Sequence, residues 1–415
     1  MNAPIQPATI VGVIGAGTMG AGIAQLAARS GARTLLHDPL PEALERGTRR
    51  ARDGLAKEAA KGRLSAAESD AAAARIEPVD DLAAFAPCEL AIEAAPERLE
   101  LKHELYARLS GEIVGPECVL ATNTSSLLVT AIAAGATGPE RVVGMHFFNP
   151  APLMRLLEVV AGEQSSEAAL ALAHATGEAM GKTVIRAHDG PGFLVNRCNR
   201  PFGLEALRLL QERIADIETI DRIVRIEGGF RMGPFELSDL VGVDTGFEIS
   251  KSFFEQSFGE PRWRPSPIQA KRVAAGLHGR KTGRGYYDYS SDPYRPPDPD
   301  PPADGAGAKV QPAVGGVLER ILCQVINECA FALGEGVGSA EDIDTGMVLG
   351  LSYPRGPLAW ADEIGLDHVL AVLDGLCEEY REERYRPAPE LKRLVRAGRL
   401  GRTSGAGFFS YEAAP

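Results

Sequence analysis

Apolar positions along this chain follow one rhythm up to about residue 187 and another beyond it. In the first part, short runs of aliphatic and β-branched residues alternate with helical stretches. Residues 9–14 read as a strand ending in Gly15, and residues 19–28 as a small-residue helix. A second strand at 34–36 precedes Asp38, and a long Arg- and Ala-rich helical stretch follows over 42–64. Further strands are expected at 90–92, 119–121, 142–145 and 157–160. Strands that alternate with helices predict a parallel, doubly wound sheet. After residue 187 helical segments dominate, and the stretch 290–308, rich in Pro, Asp and Gly, predicts a linker.

The helical part repeats itself across that linker. Gly233-Pro234 returns as Gly356-Pro357, and Gly242-Val243-Asp244 as Gly365-Leu366-Asp367, each 123 positions on. Arg262-Trp263-Arg264-Pro265 returns as Arg384-Tyr385-Arg386-Pro387, and the glycine pattern from Gly279-Arg280 to Tyr289 returns between Gly401-Arg402 and Tyr411, each 122 positions on. Four motifs in register predict a duplicated helical domain. The expected boundaries are a first domain over 1–187, a helical domain over 188–290, a linker over 291–312 and a second, degenerate helical copy over 313–415.

Composition narrows the class. A chain of 415 residues exceeds the roughly 250 to 300 at which single cores stop growing. No apolar run approaches the roughly 18 residues needed to span a bilayer, and residues 1–8 hold two prolines and no Lys or Arg, unlike a secretory signal. A cytoplasmic protein without membrane partners is expected. The six cysteines form no CxxC pair and read as reduced, mostly buried thiols, and no metal is expected. A net charge of -12 argues against nucleic acid as a partner, so an anionic ligand needs a local basic patch. The stretch 49–63 offers one, with Arg49, Arg50, Arg52, Lys57, Lys61 and Arg63.

Two constellations carry chemistry. Gly15-Ala16-Gly17-Thr18-Met19-Gly20 has GxGxxG spacing between a strand and a helix. Gly15 permits the tight turn, Gly17 admits a pyrophosphate to the backbone, and Gly20 lets helix pack on strand. Asp38, 18 residues after Gly20, stands where a carboxylate bonds the adenosine ribose and repels a 2'-phosphate, so NAD is expected over NADP. The plainer alternative is that Asp38 caps the turn at Pro39. The second constellation is His146, at the end of a buried strand, with Glu158 in the apolar run Leu156-Leu157-Glu158-Val159-Val160. A lone histidine there would more often be structural, but a carboxylate in such a run needs a buried partner. Imidazole polarised by a carboxylate is a general base, suited to removing an alcohol proton in a dehydrogenase.

From residue 9 to the end, the chain resembles the 3-hydroxyacyl-CoA dehydrogenases. The matching motifs are Gly15 to Gly20, Ala94-Ala95-Pro96-Glu97-Arg98-Leu99 with Lys102, Thr122-Asn123-Thr124-Ser125-Ser126, Gly144 to Pro150, Pro191-Gly192-Phe193-Leu194-Val195-Asn196-Arg197, and Met232-Gly233-Pro234-Phe235-Glu236-Leu237. The resemblance implies an α/β Rossmann-type N-terminal domain with a mostly parallel sheet, followed by two tandem all-α domains. It implies NAD-dependent oxidation of a 3-hydroxyacyl-CoA, in fatty-acid or aromatic catabolism, with His146 as base and Glu158 as its orienting partner. Ser125 and Asn196 would bind the oxygen that becomes the ketone. Glu97 and Lys102 would flank the nicotinamide half, with Thr18, Met19 and Asn123 completing the cofactor site, and Lys61 would meet the CoA adenosine phosphate. The plainer alternatives are helix caps for Ser125 and Asn196 and a solvated charge pair for Glu97 and Lys102.

The sequence Tyr353-Pro354-Arg355-Gly356-Pro357-Leu358-Ala359-Trp360 resembles the two-copy subgroup of hydroxyadipyl- and hydroxybutyryl-CoA dehydrogenases, although the connection between copies is shorter here. A short acyl chain, with a terminal carboxylate in one version, is the expected substrate. Rival classes are the β-hydroxyacid dehydrogenases, which use a catalytic lysine, and a non-catalytic crystallin-type binder. Glu319 aligns with Asn196, so the second copy is expected to be structural. It would form an intrachain pseudo-dimer in a monomer, a homodimer being the other arrangement.

Overall fold

The structure is a computed structural model that describes residues 5–298 and 316–411. The expected linker therefore lies outside the described residues from 299 to 312, as do residues 1–4 of the N-terminal stretch read above. Two compact units emerge, Met1–Phe193 and Leu194–Pro415.

In the first unit eight strands form one sheet: β1 (Ile10–Ile14), β2 (Arg33–His37), β3 (Ile76–Pro78), β4 (Leu90–Glu93), β5 (Val119–Thr122), β6 (Val142–Phe147), β7 (Leu156–Ala161) and β8 (Thr183–His188). Their order is β3-β2-β1-β4-β5-β6-β7-β8. All pairs are parallel except β6 with β7. The order reverses beside β1, and the crevice at the carboxyl ends of β1 and β4 is where such sheets bind ligands. Val11, Val13, Leu36, Leu90, Ile92, Val143 and Val159 are buried in one core with Ile23 and Leu26 from helix α1 (Thr18–Arg29). Burial on both faces explains why these strands read as continuous apolar runs rather than alternating ones.

Two features depart from the sequence reading. The helix expected over 42–64 stops four residues early, and a second helix that was not expected follows it. Helix α2 (Pro41–Ala60) ends at Lys61, because Gly62 turns left-handed at φ +69. Ser65 then opens α3 (Ala66–Ala74) with a reciprocal cap, its hydroxyl accepting from Glu68 N at 3.1 Å while the Glu68 carboxylate accepts from Ser65 N at 2.7 Å. Strands β3 and β8 were not expected. Three residues ending in proline carry no period, and β8 is only partly buried.

The second unit contains both helical copies. Val195–Gln211, Ile217–Ile226, Pro234–Val241, Val243–Gln256 and Pro267–Ala274 are answered in order by Val317–Gly334, Ala340–Leu351, Pro357–Ile364, Leu366–Tyr380 and Pro389–Arg396. Buried aspartates explain why the repeated motifs persist. Asp221 accepts from Phe235 N and Glu236 N, both at 2.9 Å, and Asp344 accepts from Leu358 N and Ala359 N, both at 2.8 Å. These bonds satisfy the exposed N–H groups at the start of each Gly-Pro helix. Asp239 holds Tyr286 N and Tyr287 N, and Asp362 holds Phe408 N and Phe409 N, all at 2.9 Å.

The copies join through reciprocal ion pairs. Arg197 donates to Glu328 at 2.9 Å and Glu335 at 2.6 Å. Arg320, 123 positions after Arg197, donates to Glu205 at 2.5 Å and Glu212 at 2.6 Å, and those glutamates stand 123 positions before Glu328 and Glu335. Residue i meeting j′ while j meets i′ is the signature of an isologous contact, here made within one chain.

Candidate active site

The antiparallel register of β6 and β7 sets His146 directly opposite Glu158. Residues opposed this way carry their side chains on the same face of the sheet. Imidazole Nδ1 lies 2.6 Å from Glu158 Oε2. The carboxylate is fully buried and the ring nearly so, packed on Phe148 at 4.7 Å and Phe193 at 5.6 Å between centroids. A carboxylate accepts only, so Nδ1 carries the proton and Nε2 keeps its lone pair. The contact orients the ring and leaves Nε2 as the nitrogen that Glu158 does not hold.

The glycine turn fits a dinucleotide. Gly15 has φ +95, and a Cβ there would lie 2.6 Å from Ala94 O. A Cβ at Gly20 would collide with Gly15 O, whereas one at Gly17 would meet nothing within 4 Å, leaving the backbone open to an approaching phosphate. Gly17 caps α1 without a side chain, and the first turn holds no acidic residue, so the helix N-terminus is free for an anion. Met19 is partly buried against the core, while Thr18 accepts a 3.0 Å bond from Arg50. Asp38 accepts from Ala16 N at 2.8 Å and from Leu40 N at 3.0 Å. It therefore braces the glycine turn as well as capping its own, the cap being the plainer alternative raised by the sequence.

Around the ends of β4 and β5 the structure adds residues the sequence reading missed. Lys102 is 1% exposed, and its ammonium donates to both oxygens of Glu93, at 2.6 and 2.8 Å, lying 3.4 Å from Glu97. The expected alternative of a solvated pair is thus wrong for Lys102. Glu93 also accepts from Ala95 N at 2.6 Å and Thr122 Oγ1 at 2.8 Å. Exposed Glu97 accepts from buried Thr124 Oγ1 and from Ser125 N, each at 2.9 Å. Asn123 Oδ1 accepts from Phe147 N at 2.9 Å, tying the end of β5 to the residue after His146. The signal for Glu93 was a carboxylate ending an apolar strand, the same signal that singled out Glu158.

Of the remaining expected residues, Lys61 is exposed in the turn after α2 rather than on the helix. Asn196 lies in the first turn of Val195–Gln211 and lines a cavity of about 200 Å³ within the second unit.

A glycine turn at the switch point of a doubly wound sheet, together with a carboxylate-held histidine, defines a dinucleotide-dependent dehydrogenase. Residues 10–190 match the family model described as 3-hydroxyacyl-CoA dehydrogenase, NAD binding domain, and residues 192–289 and 315–411 match 3-hydroxyacyl-CoA dehydrogenase, C-terminal domain. The chain is 38% identical to a 3-hydroxyadipyl-CoA dehydrogenase of Escherichia coli K12, over 92% of this chain and 96% of that one. It is 43% identical to a probable 3-hydroxybutyryl-CoA dehydrogenase of Deinococcus radiodurans, over 67% of this chain and 99% of that one. A crystal structure of 3-hydroxybutyryl-CoA dehydrogenase from E. coli K12 superposes with a TM-score of 0.86 at 37% identity, covering 94% of this chain and 99% of that one. The chain belongs to the 3-hydroxyacyl-CoA dehydrogenase family, and it oxidises 3-hydroxyacyl-CoA with NAD.

Proposed function

We propose that His146 Nε2 takes the proton of the substrate's C3 hydroxyl, while Glu158 fixes the tautomer and stabilises the imidazolium that forms. The observation that carries this reading is the 2.6 Å contact between Nδ1 and Glu158 in a water-poor setting. NAD, when bound, accepts the C3 hydrogen with its electron pair. Ser125 and Asn196 hold the oxygen that becomes the ketone, positioned by donation from Ser125 N to Glu97 and by the helix start at Asn196. Lys102 acts one step back: it pairs with Glu93 and Glu97, and through Glu97 fixes the loop that carries Ser125. Asp38 meets the adenosine ribose beside the Gly15, Gly17 and Gly20 turn. Lys61, with Arg50 nearer the turn, supplies positive charge for the CoA phosphates.

In this reading residues 1–187 bind the dinucleotide, residues 188–290 supply Asn196, and the copy over 313–415 stands in for a partner subunit. The unpaired state of all six cysteines accords with a cytoplasmic location. No helix among the described residues is long and apolar enough to cross a membrane.

The test is His146→Ala, assayed with acetoacetyl-CoA by loss of NADH absorbance. Turnover should fall at least about 100-fold, the usual contribution of a general base, with NADH affinity nearly unchanged. Near-normal kcat would remove His146 from the role.

A further inference from the structure

The cavity in the first helical copy holds an arginine whose partners do not add up. Arg200 donates one 3.2 Å bond to Ser250 Oγ and stacks 5.1 Å from the Phe253 ring centroid, but its Nε is buried with no hydrogen-bond partner. Burial pulls its pKa down to about 10. No carboxylate pairs with it among the described residues, whereas buried Arg197, Arg208, Arg225, Arg262 and Arg320 each hold at least one glutamate. Arg141, also buried, is satisfied by carbonyl oxygens. A guanidinium in a cavity without an anion is costly, and that cost is repaid only when a ligand brings the anion.

The lining says which ligand. Asn196 and Arg200 are four residues apart on one helix and line the same cavity, so they stand about 6 Å apart along its axis. If Asn196 holds the oxygen on C3, an acyl chain running three carbons further and ending in a carboxylate covers most of that distance, and the long Arg200 side chain can reach the rest. A six-carbon acyl group that ends in a carboxylate then delivers its negative charge to Arg200. The aligned positions of the second copy show that the fold has no need of this arginine. There Arg200 is replaced by Cys323 and Ser250 by Leu373, both inside an apolar core.

We propose that Arg200 determines substrate specificity by binding the terminal carboxylate of a short dicarboxylic acyl-CoA whose tail fills this cavity. The proposal rests on the reading that Asn196 holds the C3 oxygen.

The experiment is steady-state kinetics of the full chain with two six-carbon 3-hydroxyacyl-CoA thioesters, one ending in a carboxylate and one in a methyl. Wild type should favour the carboxylate-ended thioester in kcat/KM. Arg200→Met should lower kcat/KM for that substrate about 100-fold, as expected for a lost charge-assisted bond, and leave the methyl-ended one within about threefold. Removing an unpaired charge should not lower the melting temperature, and Arg200→Lys, which keeps the charge, should recover part of the preference. Gly203→Ile puts a side chain where a Cβ meets nothing within 4 Å. It should impair both six-carbon substrates while sparing 3-hydroxybutyryl-CoA. Equal loss on both substrates in Arg200→Met, no loss on either, or a wild-type preference for the methyl-ended thioester would overturn the proposal. Undiminished kcat/KM of Asn196→Ala on 3-hydroxybutyryl-CoA would instead overturn the reading beneath it.

Discussion

The two helical copies share a frame and differ in what they put inside it. Both keep the aspartate caps, at Asp221 and Asp239 in the first and Asp344 and Asp362 in the second, and both keep the glycines those caps require. Inside, the first copy has Asn199, Gly203, Gly246 and Gln269 lining its cavity, and the second has Leu322, Ile326, Val369 and Leu391 at the aligned positions. The second copy is a filled core where the first leaves about 200 Å³ open. Positions that hold the frame and positions that shape the site are therefore separate in this fold. That is why the repeat survives in the Gly-Pro and glycine motifs and has faded between them.

The most disruptive way to break this comparison is to delete 291–415. The first copy would then expose Arg197, Glu205 and the apolar surface around them, and the shortened chain should dimerise or aggregate in light scattering coupled to size exclusion. A fully active monomer would show that the second copy is dispensable. Next in size are the cross-copy arginines. Arg320→Met leaves Arg208 as the only arginine on Glu205 and takes the arginine from Glu212, and Arg197→Met leaves Arg262 as the only arginine on Glu328 and Glu335, among the described residues. Each should cost about 3 kcal/mol in urea denaturation, the scale for breaking a buried pair. A large difference between the two would mean that the contact is symmetric in geometry only. A final pair of variants sharpens the contrast in the interiors. Leu373→Ala should cost roughly 2 to 5 kcal/mol by opening a void, while Ser250→Ala, at the aligned position beside an existing cavity, should cost about 1 kcal/mol. Equal costs would mean that the first copy's interior is as tightly packed as the second's.

Much of the fold was legible because burial on both faces writes itself into sequence. The runs at β1, β4, β5 and β6 are apolar except for Glu93, Thr122 and His146 near their carboxyl ends, and each could be read without a partner. Strand β3 could not, since it exists only by pairing with β2. The helix break at Gly62 was written in plain capping chemistry, Ser65 followed three residues later by Glu68, but the alanines around it keep a helical composition that masks the stop. At the site, the pairing of His146 with Glu158 was readable because a carboxylate in an apolar run demands a partner. The antiparallel turn of β7 that brings them face to face was not. Glu93 and Lys102 stand nine residues apart across a loop, a spacing with no period to betray it. Arg200 lies in Asn196-Arg197-Cys198-Asn199-Arg200-Pro201, where one arginine is an interface ion pair and the other lines a cavity, and composition cannot tell them apart.

The reciprocal contact of Arg197 with Glu328 and Arg320 with Glu205 has an inherited consequence. In an assembly of identical subunits every substitution is made on both sides of the axis at once, so a leucine that firms up one interior also plugs the other. Once the two sides are encoded separately, that constraint lifts. One side can drift toward tight packing while its counterpart keeps an open interior and an uncompensated charge. The tandem chain thus accumulates changes independently in its two halves, and the copy with the filled core can absorb the stabilising mutations that the other could not tolerate.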